Sequence, residues 1–168
     1  HSDDLTSALC FNKRILKHYL KNKLNILSPK EINQDFSPKF PLISKPNWGG
    51  SSKGISFIND QKSFKKKKFR EETLIEEVVV GKELTVTVIK DNQSIKALGV
   101  TEIEFNSHHY DYKAKYTKGR SKHYLPARIS NKQYDFLINI SKKIFSVCNC
   151  RSLARLDFIL SKKNGKIY

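Results

Sequence analysis

Methionine is absent from the 168 residues, so His1 is not a translation start, and we expect an excised piece of a longer protein. For the same reason the lack of a leader at this end carries no information. No apolar run approaches the length needed to cross a bilayer, and we expect no membrane contact. Cysteine is scarce, at three residues. Cys148 and Cys150 stand too close together for the usual zinc spacing, and an odd count suits buried thiols in a reducing cytoplasm. The five histidines fall into no metal-ligand spacing. Acidic residues number 16 against 32 basic ones, a formal charge of +16. That excess invites a nucleic-acid reading. Lysine dominates the basic set, however, and lysine reads bases and phosphates less well than arginine. The densest run, Lys65 to Lys68 between Phe64 and Phe69, reads as a solvated helix or loop. We expect no nucleic-acid partner.

What is present centres on the stretch from Ile43 to Gly54. Apolar residues lead into Lys45, then a loop carries Gly49, Gly50 and Gly54 around Ser51 and Ser52. Alternation resumes at Ile55, Phe57 and Ile58, giving strand, glycine loop, strand. Without a Cβ, successive N–H groups can turn inward as a nest for anionic oxygens, with serine hydroxyls as further donors. The loop is not a Walker A element, because no helix opens on a Gly-Lys-Ser/Thr sequence. An ordinary hairpin connection would use the same residues. On its own the loop fits either reading.

Ahead of it, residues 3–23 read as one amphipathic helix capped by Ser2, with Lys13 in its middle. Asn25 to Pro29 reads as a turn and short strand, and residues 59–72 as one helix with its connections. Three β-rich runs, from Thr73 to Phe105, predict an antiparallel meander. Glu76 and Glu77 stand at the edge of an apolar strand, where that strand would reach the surface. Residues 106–128 lose periodicity and form a long aromatic, charged loop. Ser130 and Gln133 fit a capping box opening a helix, with Tyr134, Leu137, Ile138, Ser141, Ile144, Phe145 and Cys148 facing inward. The closing strand, from Leu153 to Leu160, puts Arg155 and Asp157 on one face and Leu156, Phe158 and Leu160 on the other.

Taken in order, Ser-Ala-Leu-Cys-Phe-Asn-Lys13, Leu-Ile-Ser-Lys45-Pro, Gly-Gly-Ser-Ser-Lys-Gly, Leu-Ile-Glu76-Glu77, Gly-Lys-Glu83-Leu-Thr-Val, Tyr-Asp-Tyr-Lys-Ala-Lys115-Tyr116 and Ala-Arg155-Leu-Asp157-Phe resemble the D-alanine–D-alanine ligase family. The resemblance covers nearly the whole chain, as the ATP-grasp portion of such an enzyme. It implies an α+β fold of two lobes, each an antiparallel sheet with helices, holding the nucleotide between them. Residues 1–72 would form the small lobe with the N-terminal helix and phosphate loop. Residues 73–168 would form the large lobe, with 106–128 as its lid.

The resemblance also implies roles. Lys13, Lys45 and Lys115 would surround the triphosphate of ATP, and the loop would close over it through Gly50, Ser51 and Ser52. Glu76 would accept from the adenine amino group, backbone groups of Glu77 and Val79 would lie alongside, and Glu83 would bind the ribose. Asp157 would hold Mg²⁺ or Mn²⁺, and Arg155 would stabilise the tetrahedral oxyanion. Tyr116 would latch the lid toward Ser51; the Lys-Tyr pair favours dipeptide over depsipeptide synthesis. The partners implied are D-alanine and ATP, and the full-length protein would be a cytoplasmic homodimer serving peptidoglycan synthesis. Departures are Asn12, where the family usually has Asp, and Gly49, where it often has Glu. The family's N-terminal lobe and the metal ligands expected after Tyr168 are not in this sequence, so we expect the 168 residues alone not to turn over. The rivals are another ATP-grasp carboxylate–amine ligase and a basic nucleic-acid-binding module.

Overall fold

A computed structural model describes residues 2–32, 38–70, 72–92, 94–105 and 121–168. The N-terminal amphipathic stretch is two helices, α1 (Asp4–Phe11) and α2 (Lys13–Leu24), where one was expected. Asn12 makes the break. Its backbone is extended and its side chain accepts from the Ile15 N–H, so it caps α2 instead of continuing α1. Asp3, not Ser2, caps α1 by accepting from the Thr6 N–H. The left-handed Asn25 ends α2, and Ile26 to Pro29 form no strand.

Strands β1 (Leu42–Pro46) and β2 (Ser56–Ile58) flank the glycine loop and pair antiparallel, as the alternation predicts. Helix α3 (Gln61–Lys66) follows, capped by Asp60. Lys65 to Lys68 are exposed while Phe64 is buried, in keeping with a solvated run. Next come β3 (Thr73–Glu77), β4 (Gly81–Asp91) and β5 (Ser94–Phe105). They do not form a meander. β3 returns to pair with β1, giving a three-stranded sheet in the order β2-β1-β3. The change of sheet therefore falls between Glu77 and Gly81. Val78 to Val80 make the crossing, held by Val78 N–H to Pro41 O at 3.4 Å and Lys162 N–H to Val80 O at 2.9 Å.

The second sheet has four strands in the order β6-β5-β4-β7, with β6 at Ser121–Tyr124 and β7 at Leu153–Ser161. β6 lies inside the stretch expected to be loop, because Ser121 to Tyr124 pair with Phe105 to Glu102. Helix α4 (Asn131–Val147) opens on the expected capping box, Ser130 and Gln133 satisfying each other's backbone N–H groups. Its Leu137, Ile144 and Phe145 pack on Leu84, Val86, Val88, Val100 and Phe158 of this sheet, with Cys148 just beyond the helix. Burial of each such side chain contributes about 1.5–3 kcal/mol. Cys10 is exposed and Cys150 half-buried, so only Cys148 meets the expectation of buried thiols.

Leu9, Leu16, Tyr19, Leu20 and Leu24 of α1 and α2 pack against the core of the large sheet, and the Tyr19 hydroxyl donates to Val147 O at 2.7 Å. Leu5 of α1 is exposed. Helix α2 thus gives its apolar side to the large sheet and is free to offer its lysines to the small one.

Candidate active site

Left-handed backbone dominates the glycine loop: φ is +106° at Gly49, +54° at Ser51, +57° at Ser52 and +73° at Gly54. At the serines this conformation costs about 1–2 kcal/mol per residue, and Lys53 N–H donates to Gly50 O at 3.3 Å to close the turn. At Gly54 a Cβ would lie 2.8 Å from Pro46 Cγ, so only glycine fits. The loop is anchored at its root. Asn47 is buried and donates from Nδ2 to Asn12 Oδ1 at 3.0 Å, while its own Oδ1 accepts from Arg14 N–H at 2.9 Å. Lys13 lies beside it, its Nζ donating to Gly49 O at 2.7 Å and Pro46 O at 2.9 Å. Burial lowers the Lys13 pKa. Gly50 and Ser51 remain exposed on the outer side of the loop.

On β1, Lys45 shares a sheet face with Glu76 of β3, since Ile43 pairs with Glu76 and Lys45 with Leu74. The Lys45 ammonium lies 2.6 Å from Glu76 Oε2. Glu76 is not where the strand surfaces: it is 1% exposed. Its other oxygen, Oε1, is ion-paired with Lys17 of α2. Beyond these two lysines neither carboxylate oxygen has a hydrogen-bond partner. Burial, followed by the charge of Lys45, brings the Lys17 pKa down to about 7. Burial, followed by the charge of Lys13, brings Lys45 down to about 8. The result is a buried carboxylate between two lysines whose pKa values burial lowers. Glu77 donates its N–H to Lys30 O at 3.0 Å, and Val79 is half-buried in the crossing between the sheets.

A second group lies on the large sheet. Glu83, Thr85 and Thr87 face Ile159, Asp157 and Arg155 across the β4–β7 ladder, on the side opposite Leu84, Val86 and Phe158. Arg155 grips Asp157 in a two-point ion pair, Nε to Oδ1 at 3.1 Å and Nη2 to Oδ2 at 3.2 Å. The Thr85 hydroxyl donates to Asp157 Oδ1 at 2.8 Å. Both members of the pair are exposed, as the period-two pattern predicts. Lys115 and Tyr116 lie outside the described residues, as does most of the loop around them.

Reading the residues in sequence missed Lys17, which stood among other lysines of α2. The signal was its spacing: four residues after Lys13, it repeats on the same helical face. Glu102 was missed as well. Buried on the core side of β5, it accepts from Arg128 Nη2 at 2.7 Å, Arg128 N–H at 3.0 Å and Lys82 Nζ at 3.3 Å. Those bonds, Arg128 first, bring its pKa down to about 2. It lies at the edge of the large core and holds β5 to the segment leading into α4.

Among the described residues no group of three or more His, Cys, Asp or Glu side chains gathers to hold a metal ion. Magnesium needs no such cage when phosphate and water supply its other ligands. The exposed, hydrogen-bonded Asp157 carboxylate fits that lesser requirement. Among the described residues no helix is long and apolar enough to cross a membrane.

A small antiparallel sheet bearing a glycine loop and a lysine–glutamate pair, joined to a larger one bearing an Arg-x-Asp strand, defines an ATP-grasp ligase fold. The chain belongs to the D-alanine–D-alanine ligase family: the model for the D-ala D-ala ligase C-terminus matches residues 17–168. It is 35% identical to D-alanine–D-alanine ligase of Rickettsia canadensis over 179 aligned residues, covering 100% of this chain and 49% of that one. The chain thus spans about half the length of the curated relatives it matches. Among solved structures it is similar to the VanG D-Ala:D-Ser ligase of Enterococcus faecalis, with a TM-score of 0.79 and 26% identity, over 99% of this chain and 52% of that one. D-alanyl-alanine synthetase A of Vibrio cholerae gives a TM-score of 0.80 at 22% identity, over 99% and 56%, a likeness of fold.

Proposed function

We propose that the full-length protein is an ATP-dependent D-alanine–D-alanine ligase and that this chain is its nucleotide-binding portion. The observation that carries the reading is the meeting of Lys45 and Glu76 on one sheet face next to a loop whose root Lys13 holds. In the reaction, a carboxylate oxygen of one D-alanine attacks the γ-phosphorus of ATP, giving an acyl phosphate and ADP. The amine of a second D-alanine then attacks the acyl carbon and expels phosphate.

Most of this is positioning and charge neutralisation. Lys13 and Lys45 supply positive charge to the triphosphate, and Gly50, Ser51 and Ser52 cover it with N–H and hydroxyl donors. Glu76 accepts from the adenine amino group, Glu77 and Val79 offer backbone groups beside the ring, and Glu83 takes the ribose hydroxyls. Arg155 neutralises the oxyanion formed when the amine adds. Asp157 holds magnesium, which when bound neutralises phosphate charge. Lys115 and Tyr116 bring a further cation and a latch toward Ser51 from the lid. The lobes would be the two sheets with their helices, and the enzyme a cytoplasmic homodimer.

The test is phosphate release by the full-length protein with ATP, magnesium and D-alanine, against D-serine, D-lactate and other amino acids. Turnover dependent on D-alanine, with D-Ala-D-Ala as product, is expected. Turnover confined to a different acceptor would move the protein to another carboxylate–amine ligase activity. No nucleotide binding at all would end the ligase reading.

A further inference from the structure

Glu76 is a fully buried carboxylate whose compensation comes from two ammonium groups on different elements, Lys45 on β1 and Lys17 on α2. If Lys45 serves a phosphate, the nucleotide draws its ammonium away from Glu76 and weakens that pair. A buried carboxylate left without a partner is strongly disfavoured, and it would hold Lys45 back. Lys17 removes that conflict, because it stays on Oε1 while Lys45 departs from Oε2.

We propose that Lys17 is a positioning residue of the nucleotide site, keeping Glu76 ionised and aimed while Lys45 exchanges that carboxylate for phosphate. The inference rests on the nucleotide-binding reading above. It adds a residue whose contact is with Glu76, not with the ligand.

Among the described residues, charged groups surround Lys17 from three elements and one connecting segment. Lys13 lies one turn earlier on α2, Lys45 on β1, Glu76 on β3, and Glu31 in the segment that bridges to Glu76. Glu31 is itself paired with Arg14 at 2.7 Å, which leaves Glu76 as the anion that Lys17 contacts directly. With Lys17 lowered to about 7 and Lys45 to about 8, both are charged at pH 6 and neutral at pH 9. A polyanionic ligand favours the charged forms, so affinity falls as pH rises through this range.

The experiment is calorimetric titration of MgATP into the full-length protein from pH 6 to pH 9, comparing wild type with Lys17→Gln, Lys17→Arg, Glu76→Gln and Lys17→Gln/Glu76→Gln. Lys17→Gln should weaken binding about tenfold at pH 6, as loss of a residue that orients a ligand-binding group does. At pH 9, where wild-type Lys17 is neutral, the deficit should close to less than about twofold by the same linkage. Lys17→Arg should restore affinity and hold it through pH 7. In the Glu76→Gln background the Lys17→Gln penalty should vanish, as it must for residues acting through one another.

A Lys17→Gln penalty that is equal at both pH values, persists without Glu76, or accompanies a lowered melting temperature unrescued by arginine would overturn the proposal. So would binding unchanged by Lys17→Gln. Wild-type protein that binds no MgATP would remove the nucleotide reading itself, and this inference with it.

Discussion

Lys45 and Glu76 are diagonal neighbours across the β1–β3 ladder, and their charged atoms meet at 2.6 Å in the protein interior. With Lys17 on the other oxygen, two cations share one anion away from water. The arrangement carries a surplus positive charge of the kind a nucleotide's phosphates would meet.

That surplus predicts an unusual pH dependence of stability. The pKa values of Lys17 and Lys45 fall in the folded protein from 10.5 to about 7 and about 8. Below pH 7 both states hold both protons, and the cost of the buried cations is fully present. Between about pH 7 and 10.5 the unfolded chain binds more protons, so stability rises with pH. Urea unfolding of the full-length protein without nucleotide should show this rise from pH 7 to pH 10. The Lys17→Met/Lys45→Met variant should flatten it. A slope unchanged in that variant would mean the rise has another source.

Glu102 predicts the opposite behaviour at the other end of the scale. Its pKa drops from 4.5 to about 2, chiefly through its bonds with Arg128. Its contribution to stability is therefore present above pH 4.5 and lost as pH falls toward 2. Glu102→Gln should cost about 2 kcal/mol at pH 7, the worth of hydrogen bonds to a charged group. The difference from wild type, followed by denaturant unfolding, should narrow below pH 4. Glu102 touches none of the nucleotide-site residues, so ATP affinity should not change.

How much of this was legible beforehand depended on whether the deciding interaction was local. Arg155 and Asp157 could be assigned to one exposed face because a strand repeats every two residues and both pleats were clear. Ser130 and Gln133 announced α4 because a capping box involves only four consecutive residues. The α1–α2 break was hidden, since helical spacing runs straight through Asn12 and its cap geometry depends on Asn47, far along the chain. β3 was assigned to the wrong sheet because short turns favour neighbours in sequence, whereas Thr73 to Glu77 find their partner across the glycine loop and α3. Glu76 was legible as an oddity in an apolar strand, but only folding supplied its lysines.

The Arg155–Asp157 pair separates function from stability. An exposed ion pair is worth at most about 1 kcal/mol, and both side chains are more than half exposed. Arg155→Met should therefore leave the melting temperature of the full-length protein nearly unchanged. Its kcat should nonetheless fall by about 10²–10³, the usual effect of losing an oxyanion donor. Equal kcat in variant and wild type would mean that the pair is only surface chemistry.

Lys13 tests whether the glycine loop is prearranged for its ligand. The Nζ donates to Gly49 O and Pro46 O, so this cation ties the loop to the start of α2 before any phosphate is present. Lys13→Met removes those bonds but leaves the Asn12–Asn47 contact at the loop's root. Amide hydrogen exchange should accelerate at residues 49–54 and stay unchanged in α4, because local opening needs no global unfolding. Affinity for MgATP should fall about tenfold or more, by loss of one charge-assisted contact and of the loop's preorganisation. Lys13→Arg should recover the charge but fit the carbonyls poorly, since a planar fork replaces a compact ammonium. Partial rescue of affinity with fast loop exchange would assign the charge to the ligand and the geometry to the loop. Unaltered exchange in Lys13→Met would show that Asn12 and Asn47 hold the loop without help.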